Sequence, residues 1–193
     1  MNPERKALYD GLSSAAWGYF FLTFDFNLNT VSILPRFAGW LLLLDACRWL
    51  SGVRRDLALL RPLCILLAGW NALDWLLSWV GRDLDGQILF LDLLIGAAGL
   101  YFHYQFLTDM AALAEQFQPS DSGLSEKICR RRTAYLVLVT IIALLMDLPA
   151  GLLGDWREGI ILAVGVAACV VAVAVMLALF ELRKYLAPLE PDK

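Results

Sequence analysis

The chain lacks the residues on which most metal and redox sites depend. It contains a single histidine, His103, which excludes a histidine-based metal centre. Its four cysteines form no CxxC pair, so neither a zinc site nor a disulfide framework is indicated. No HExxH, Walker or GxSxG motif is present. We therefore expect no catalytic residue, no metal and no cofactor, in a protein that is not an enzyme.

Charge is also scarce, and its scarcity indicates a lipid environment. Charged residues make up 18% of the chain and hydrophobic residues 60%, against about 25% and 45–50% in soluble domains. A chain of 193 residues cannot bury this excess in one core, so we expect an integral membrane protein. The net charge is −3, and no long basic block predicts a nucleic-acid partner.

Six apolar segments approach the length of about 20 residues that a membrane-spanning helix needs. The first is expected to be retained, because no signal-peptide cleavage site follows it. We predict one all-α domain over residues 1–193, a six-transmembrane-helix bundle of three hairpins. Its predicted spans are 11–28, 32–50, 60–80, 87–107, 133–153 and 159–182, with a cytoplasmic loop at about 108–132.

The distribution of basic residues predicts the orientation. With both termini in the cytoplasm, 13 of the 16 lysines and arginines fall on the inner side, as the positive-inside rule requires. Only Arg36, Arg82 and Arg157 fall on the outer side. We therefore predict a multipass protein of the plasma membrane with both termini inside.

Three aspartates share a position in this scheme. Asp25, Asp74 and Asp147 each lie in the first helix of a hairpin. Each follows its helix start by about 14 residues, which is about 21 Å of helix. Ionisable residues inside a membrane are costly and commonly functional. One hypothesis is that the three acids converge in a polar cavity, where Asn27, Asn29 and Asn71 supply further oxygen ligands for a cation or a basic solute.

The alternative hypothesis is structural. Arg36, Arg82 and Arg157 each follow one of these acids across a turn, so each could form an ion pair within its hairpin. Asp45 and Arg48, three residues apart on one helix, form a further candidate pair.

Two other features favour structural roles. His103, among four aromatic residues, is expected to be buried and hydrogen-bonded rather than a proton relay. Small residues around Gly96, Gly99 and Gly165 predict close contacts between helices.

The stretch FNLNTVSILPRFAGWLL resembles the start of a family of small multipass membrane proteins of bacteria. The resemblance is carried by Asn27, Asn29, Ile33, Leu34, Pro35, Phe37 and Gly39. It implies a bacterial inner-membrane location and no particular activity.

Two functions follow from these patterns. The first is binding or transport of a small solute or cation in an acid-lined, outer-facing pocket. The second is that of a structural or accessory subunit, which assembles with a partner membrane protein or with a second copy of itself. The lipid bilayer is the partner common to both.

Overall fold

The computed structural model describes residues 3–24, 27–28, 31–32, 35–80, 89–119, 121–147 and 154–186, and the expected all-α class is confirmed. The helices are α1 (Pro3–Thr23), α2 (Arg36–Leu50), the one-turn α3 (Asp56–Leu59), α4 (Arg61–Ser78), α5 (Leu89–Phe117), α6 (Leu124–Asp147) and α7 (Arg157–Leu186). Two short strands, β1 (Asn27–Leu28) and β2 (Val31–Ser32), pair antiparallel between α1 and α2. A 3₁₀ turn, Gly154–Trp156, precedes α7.

Three segments of the described chain are long and apolar enough to cross a membrane. They are Asp56–Ser78, which joins α3 and α4, Phe90–Phe117 in α5 and Arg157–Leu186, which is α7. The protein is therefore a membrane protein by the length and composition of these helices.

The predicted cytoplasmic loop at 108–132 is mostly helical. Helix α5 continues to Phe117 and α6 already begins at Leu124. Apolar side chains stabilise both extensions, because Met110, Leu113 and Leu124 are buried. The chain reverses between the helices at Gly123, whose φ of 56° suits glycine.

The helices pack as an almost closed ring. Helix α1 packs against α2 and α7, α2 also packs against α4, and α6 packs against both α5 and α7. Helices α4 and α5, which would close the ring, contact each other only sparsely. The boundary between them is called the α4–α5 seam below.

Side-chain burial is concentrated at one end of the bundle. We call the end that carries Pro3 of α1 and Leu186 of α7 the inner end, and the opposite end the outer end. The largest fully buried side chains all lie in the inner half: Leu12, Tyr19, Leu43, Leu50, Leu57, Leu60, Leu67, Phe102, Phe106, Leu107, Met110 and Leu113. The outer halves of α4 to α7 expose large apolar residues instead, among them Val80, Phe90, Leu94, Leu144, Met146, Leu162 and Val166.

Glycines bring α1 and α2 unusually close together. A Cβ built on Gly18 would lie 2.9 Å from Cγ of Leu43 and 3.1 Å from the carbonyl oxygen of Gly39. A Cβ on Gly39 would lie 2.8 Å from Cγ of Leu22 and 2.9 Å from the carbonyl oxygen of Gly18. These two glycines are therefore required by reciprocal backbone contact.

The three glycines at which the sequence predicted close helix contact have open space around them instead. Among the described residues, no heavy atom lies within 4 Å of a Cβ built on Gly96, Gly99 or Gly165. The prediction of close helix packing was wrong at these three glycines, because no described atom approaches them closely.

This difference yields a stability prediction with an internal control. We expect Gly39→Ala to destabilise the protein by about 1–3 kcal/mol, since the new methyl group meets the backbone of α1. Gly99→Ala should be neutral or stabilising by up to about 1 kcal/mol, because it adds helix propensity in open space. Thermal unfolding in detergent measures both, and equal loss of stability in the two variants would contradict the assignment.

Candidate functional site

Several residues of the predicted polar site lie outside the part of the chain whose side chains are described. Asp25, Asn29 and Arg82 are outside the described residues. Asn27 is described only as the partner of Ser32 in the strand pair. Asp147 ends α6, and its side chain is not described. The predicted convergence of the three aspartates therefore stays a prediction.

The remaining residues of that site lie on α2 and α4. Asp74 and Asn71 are half-buried on α4, and Arg36 is exposed at the start of α2. The rings of Phe37 and Trp75, which directly follow Arg36 and Asp74, are in contact, with centroids 5.6 Å apart. Arg36 and Asp74 therefore lie at the same level of the α2–α4 interface.

Asn71 is held by its own helix. Its amide Nδ2 donates a hydrogen bond of 2.7 Å to the carbonyl of Leu67. The side-chain oxygen is thus the group of Asn71 that suits a ligand.

The candidate ion pairs show two different geometries. Nη2 of Arg157 donates to the carbonyls of Met146 at 3.2 Å and Leu145 at 3.4 Å. A guanidinium at this position complements the negative end of the α6 dipole. Arg48 Nη1 lies 4.0 Å from Asp45 Oδ1, with both side chains at least half exposed, so this pair contributes little to stability.

The hairpin formed by α1 and α2 is much shorter than the helices beside it. Trp17 of α1 and Phe180 of α7 are in ring contact, at a centroid distance of 6.4 Å. From that level α1 rises six residues to Thr23, about 9 Å, whereas α7 rises 23 residues to Arg157, about 35 Å. Helix α7 thus extends roughly 25 Å further outward along its axis than α1.

Helix α2 shares this low outer end. It begins at Arg36, three residues before Gly39, and Gly39 faces Leu22 near the end of α1. Arg36, an exposed residue, therefore lies at a level well below the outer end of α7.

A buried polar pair lies below this level, at the centre of the bundle. The Tyr19 hydroxyl and His103 Nδ1 are hydrogen-bonded at 3.1 Å. Tyr19 is fully buried and His103 is 6% exposed. The imidazole is packed among the rings of Trp40, Phe102 and Tyr135, at centroid distances of 5.2–5.6 Å.

This arrangement makes His103 part of the core. The expectation of a buried, hydrogen-bonded histidine agrees with its position. The hydrophobic pattern gave no signal for Tyr19 as its partner, because the two residues are 84 positions apart in the chain.

A second buried polar group lies near the inner end. Asp109 of α5 is fully buried, and its Oδ1 accepts a hydrogen bond of 2.9 Å from Nη2 of Arg54. Gln105 Nε2 donates to the other carboxylate oxygen at 3.3 Å. Asp109 was not among the predicted site residues, because it lies in the segment expected to be a polar cytoplasmic loop.

Comparison with known proteins adds no family assignment. No family model, no curated protein and no solved structure matches the chain. The functional argument therefore rests on the geometry described above.

The Tyr19–His103 pair leads to a stability prediction. We expect Tyr19→Phe to cost about 1–2 kcal/mol, because a buried imidazole nitrogen loses its partner while the ring packing is kept. The matched control is Tyr185→Phe, which removes only a 3.3 Å hydrogen bond to the partly exposed Glu181. A melting temperature equally affected in both variants would contradict a special role for the buried pair.

Proposed function

We propose that the protein spans the membrane six times, with both termini in the cytoplasm, and binds a small polar solute or a cation in a recess that opens to the outer side. The observation that carries the proposal is the depth of Arg36 at the outer end of the short α1–α2 hairpin.

The span of α7 defines the membrane boundaries. Between Glu158 and Glu181, α7 carries no charged residue over 22 positions, about 33 Å of helix, which matches a hydrocarbon core of about 30 Å. Its inner boundary is close to Ser13 of α1, because Arg183 Nη1 donates to Ser13 Oγ at 3.2 Å.

Helix α6 supports a count of more than three spans. It runs antiparallel to α7 along its whole length, from the Lys127–Glu181 ion pair to the hydrogen bonds that Arg157 makes near its end. Where α7 crosses the membrane, α6 crosses with it. Helices α1 and α2 are enclosed between α7 and α4, so they enter the same layer.

Arg36 then lies within the membrane layer. From Ser13 to Leu22 is nine residues of α1, and Arg36 is one helical turn further outward on α2. This places it about 18 Å above the inner boundary and about 12 Å below the outer one. An arginine side chain cannot reach the headgroups by snorkelling over that distance.

A charged side chain at this depth requires water or polar partners. The cost of a charge at the centre of the membrane is about 2.5–3.5 kcal/mol on insertion scales. Polar partners on the neighbouring helix, together with water that enters from the outer side, would remove most of that cost. Asp74 at the same level and Asn71 one turn below it would then line the recess with oxygen ligands.

The second candidate function is that of an accessory subunit. It is favoured by the outer half of α7, where Leu162 and Val166 are exposed and Gly165 meets no neighbour among the described residues. Small residues on such a face allow another membrane helix to approach closely. Isolation of the protein as a single monomeric species in mild detergent would count against this function.

Water in the recess can be tested by cysteine accessibility. In a variant whose four native cysteines are replaced, we expect Arg36→Cys to react from the outer side with a membrane-impermeant maleimide. The control is Leu41→Cys, which is exposed on the same helix but faces lipid, where a thiolate does not form. Asp74→Cys provides a second test position, should loss of Arg36 impair folding. If Arg36→Cys and Asp74→Cys both react no faster than Leu41→Cys, there is no water-filled recess.

Ligand binding is tested by stabilisation. We expect Na⁺, K⁺, Mg²⁺ or a small organic cation to raise the melting temperature of the wild-type protein, since a ligand that binds only the folded state stabilises it. In the Asp74→Asn variant, we expect the same rise in melting temperature to require at least ten times more ligand. Asp45→Asn is the matched control, because Asp45 lies in an exposed pair on α2. An unchanged response of the Asp74 variant would remove Asp74 from the site.

A further inference from the structure

A buried polar contact lies at the inner end of the bundle, beside the α4–α5 seam. Arg54 lies in the link between α2 and α3, and it reaches across to Asp109 of α5 at 2.9 Å. Helices α4 and α5 themselves contact each other only sparsely. The ion pair therefore joins the link that precedes α3 and α4 to α5, beside a seam at which α4 and α5 contact each other only sparsely.

The environment of the pair is asymmetric. The side chain of Asp109 is 1% exposed, whereas that of Arg54 is 34% exposed. The carboxylate is thus fixed inside the bundle, and the guanidinium reaches it from the surface. A movement of the link can withdraw the cation without unfolding α5.

A second carboxylate is already close to the same guanidinium. Nη2 of Arg54, the nitrogen that contacts Asp109, lies 3.7 Å from Oδ2 of Asp56, which is 62% exposed. Nε of Arg54 is buried and has no hydrogen-bond partner among the described residues. Arg54 therefore occupies a position between two acids, and its bonding to the buried one is incomplete.

We propose that Arg54 and Asp109 form the cytoplasmic gate of the outer-facing recess, and that Asp56 receives Arg54 when the gate opens. In the closed state Arg54 holds the α2–α3 link against α5, and the core residues above it are sealed. In the open state Arg54 turns to Asp56 at the surface, and the α4–α5 seam separates at its inner end. This proposal rests on the proposed function, since a gate has meaning only for a protein that passes a solute.

The other inner-end contacts do not have this arrangement. Arg132 stacks on Tyr104 at 4.6 Å and donates to Thr108 Oγ1 at 2.6 Å. Arg183 stacks on Tyr9 and Phe180. These arginines join helix pairs through neutral groups and aromatic rings, and in the described part of the chain neither forms an ion pair with an acid.

Two native cysteines serve as reporters of opening. Cys47 on α2 and Cys64 on α4 are both fully buried in the inner half, close to the link that carries Arg54. Replacing Cys129 and Cys169 by serine leaves these two thiols as the only ones in the chain. A membrane-impermeant maleimide applied to the inner face of sealed, inverted vesicles then reports access from that side.

We expect slow labelling in this two-cysteine background and labelling at least tenfold faster in Asp109→Asn. The double exchange Arg54→Asp with Asp109→Arg should return the rate to within about threefold of the background, because it restores opposite charges at the seam. The matched control is Glu181→Gln, which breaks the Lys127–Glu181 pair at the inner end of α6 and α7 and should leave labelling unchanged.

Three results would overturn the gate. They are unchanged labelling in Asp109→Asn, equal acceleration in Glu181→Gln, or a double exchange that folds and still labels as fast as the single variant. Should Asp109→Asn fail to fold, Arg54→Gln tests the same contact and is judged by the same outcomes. This assay contains no solute, so a negative result here does not affect the maleimide test of Arg36→Cys in the outer recess. Conversely, a negative result at Arg36→Cys does not affect the interpretation of the labelling rates of Cys47 and Cys64.

Discussion

The contact between Gly18 and Gly39 determines the shape of this protein. Each glycine faces the backbone carbonyl of the other, so α1 and α2 approach to a distance that any side chain would prevent. Two helices held this closely form a rigid unit with a continuous row of buried side chains, from Leu12 and Tyr19 on α1 to Leu43 and Leu50 on α2. The other long helices are arranged around this hairpin, α7 beside α1 and α4 beside α2.

The same hairpin explains why burial differs between the two ends of the bundle. Because α1 ends at Thr23 and α2 begins at Arg36, only the inner half of the structure has all six long helices around its centre. There the apolar side chains are enclosed, and the polar atoms of Tyr19 and His103 have each other as partners. In the outer half, beyond the ends of helices α1 and α2, helices α5, α6 and α7 expose apolar surface of the kind that lipid covers.

Much of the fold could be predicted from composition and periodicity, and the limits of that prediction have physical causes. Long apolar segments identify α4, α5 and α7, because a helix needs about 20 mostly apolar residues to cross the hydrocarbon layer. The inner ends of α5 and α6 were taken as a loop since their polar residues resemble a surface link. They are helical because one face of each is buried, and a tertiary contact of that kind is not visible in a local pattern.

The polar residues show the same limit. A search for acids inside predicted spans singled out Asp74 but passed over Asp109. Asp109 is fully buried and accepts a hydrogen bond from an arginine 55 positions away. The small residues around Gly96, Gly99 and Gly165 were interpreted as contact surfaces between helices. The glycines in close contact with a neighbouring helix are instead Gly11, Gly18 and Gly39 at the α1–α2 interface, and a sequence alone does not say which glycine faces which neighbour.

The two ends of α2 would connect the proposed recess with the proposed gate. Arg36 begins the helix at the level of Asp74, and the link that carries Arg54 follows its last residue, Leu50. Helix α2 is rigid over this distance because it is packed against α1. A solute that draws Arg36 outward would therefore displace the link at the other end and weaken the contact of Arg54 with Asp109. By linkage, opening of the gate must change the affinity of the recess for the solute by the same factor by which the bound solute favours the open gate. Couplings of this kind are typically worth about 1–3 kcal/mol. Moving Arg54 to Asp56 keeps the cation paired but leaves the buried carboxylate of Asp109 with Gln105 as its hydrogen-bond partner, so the closed state is the one favoured without a solute.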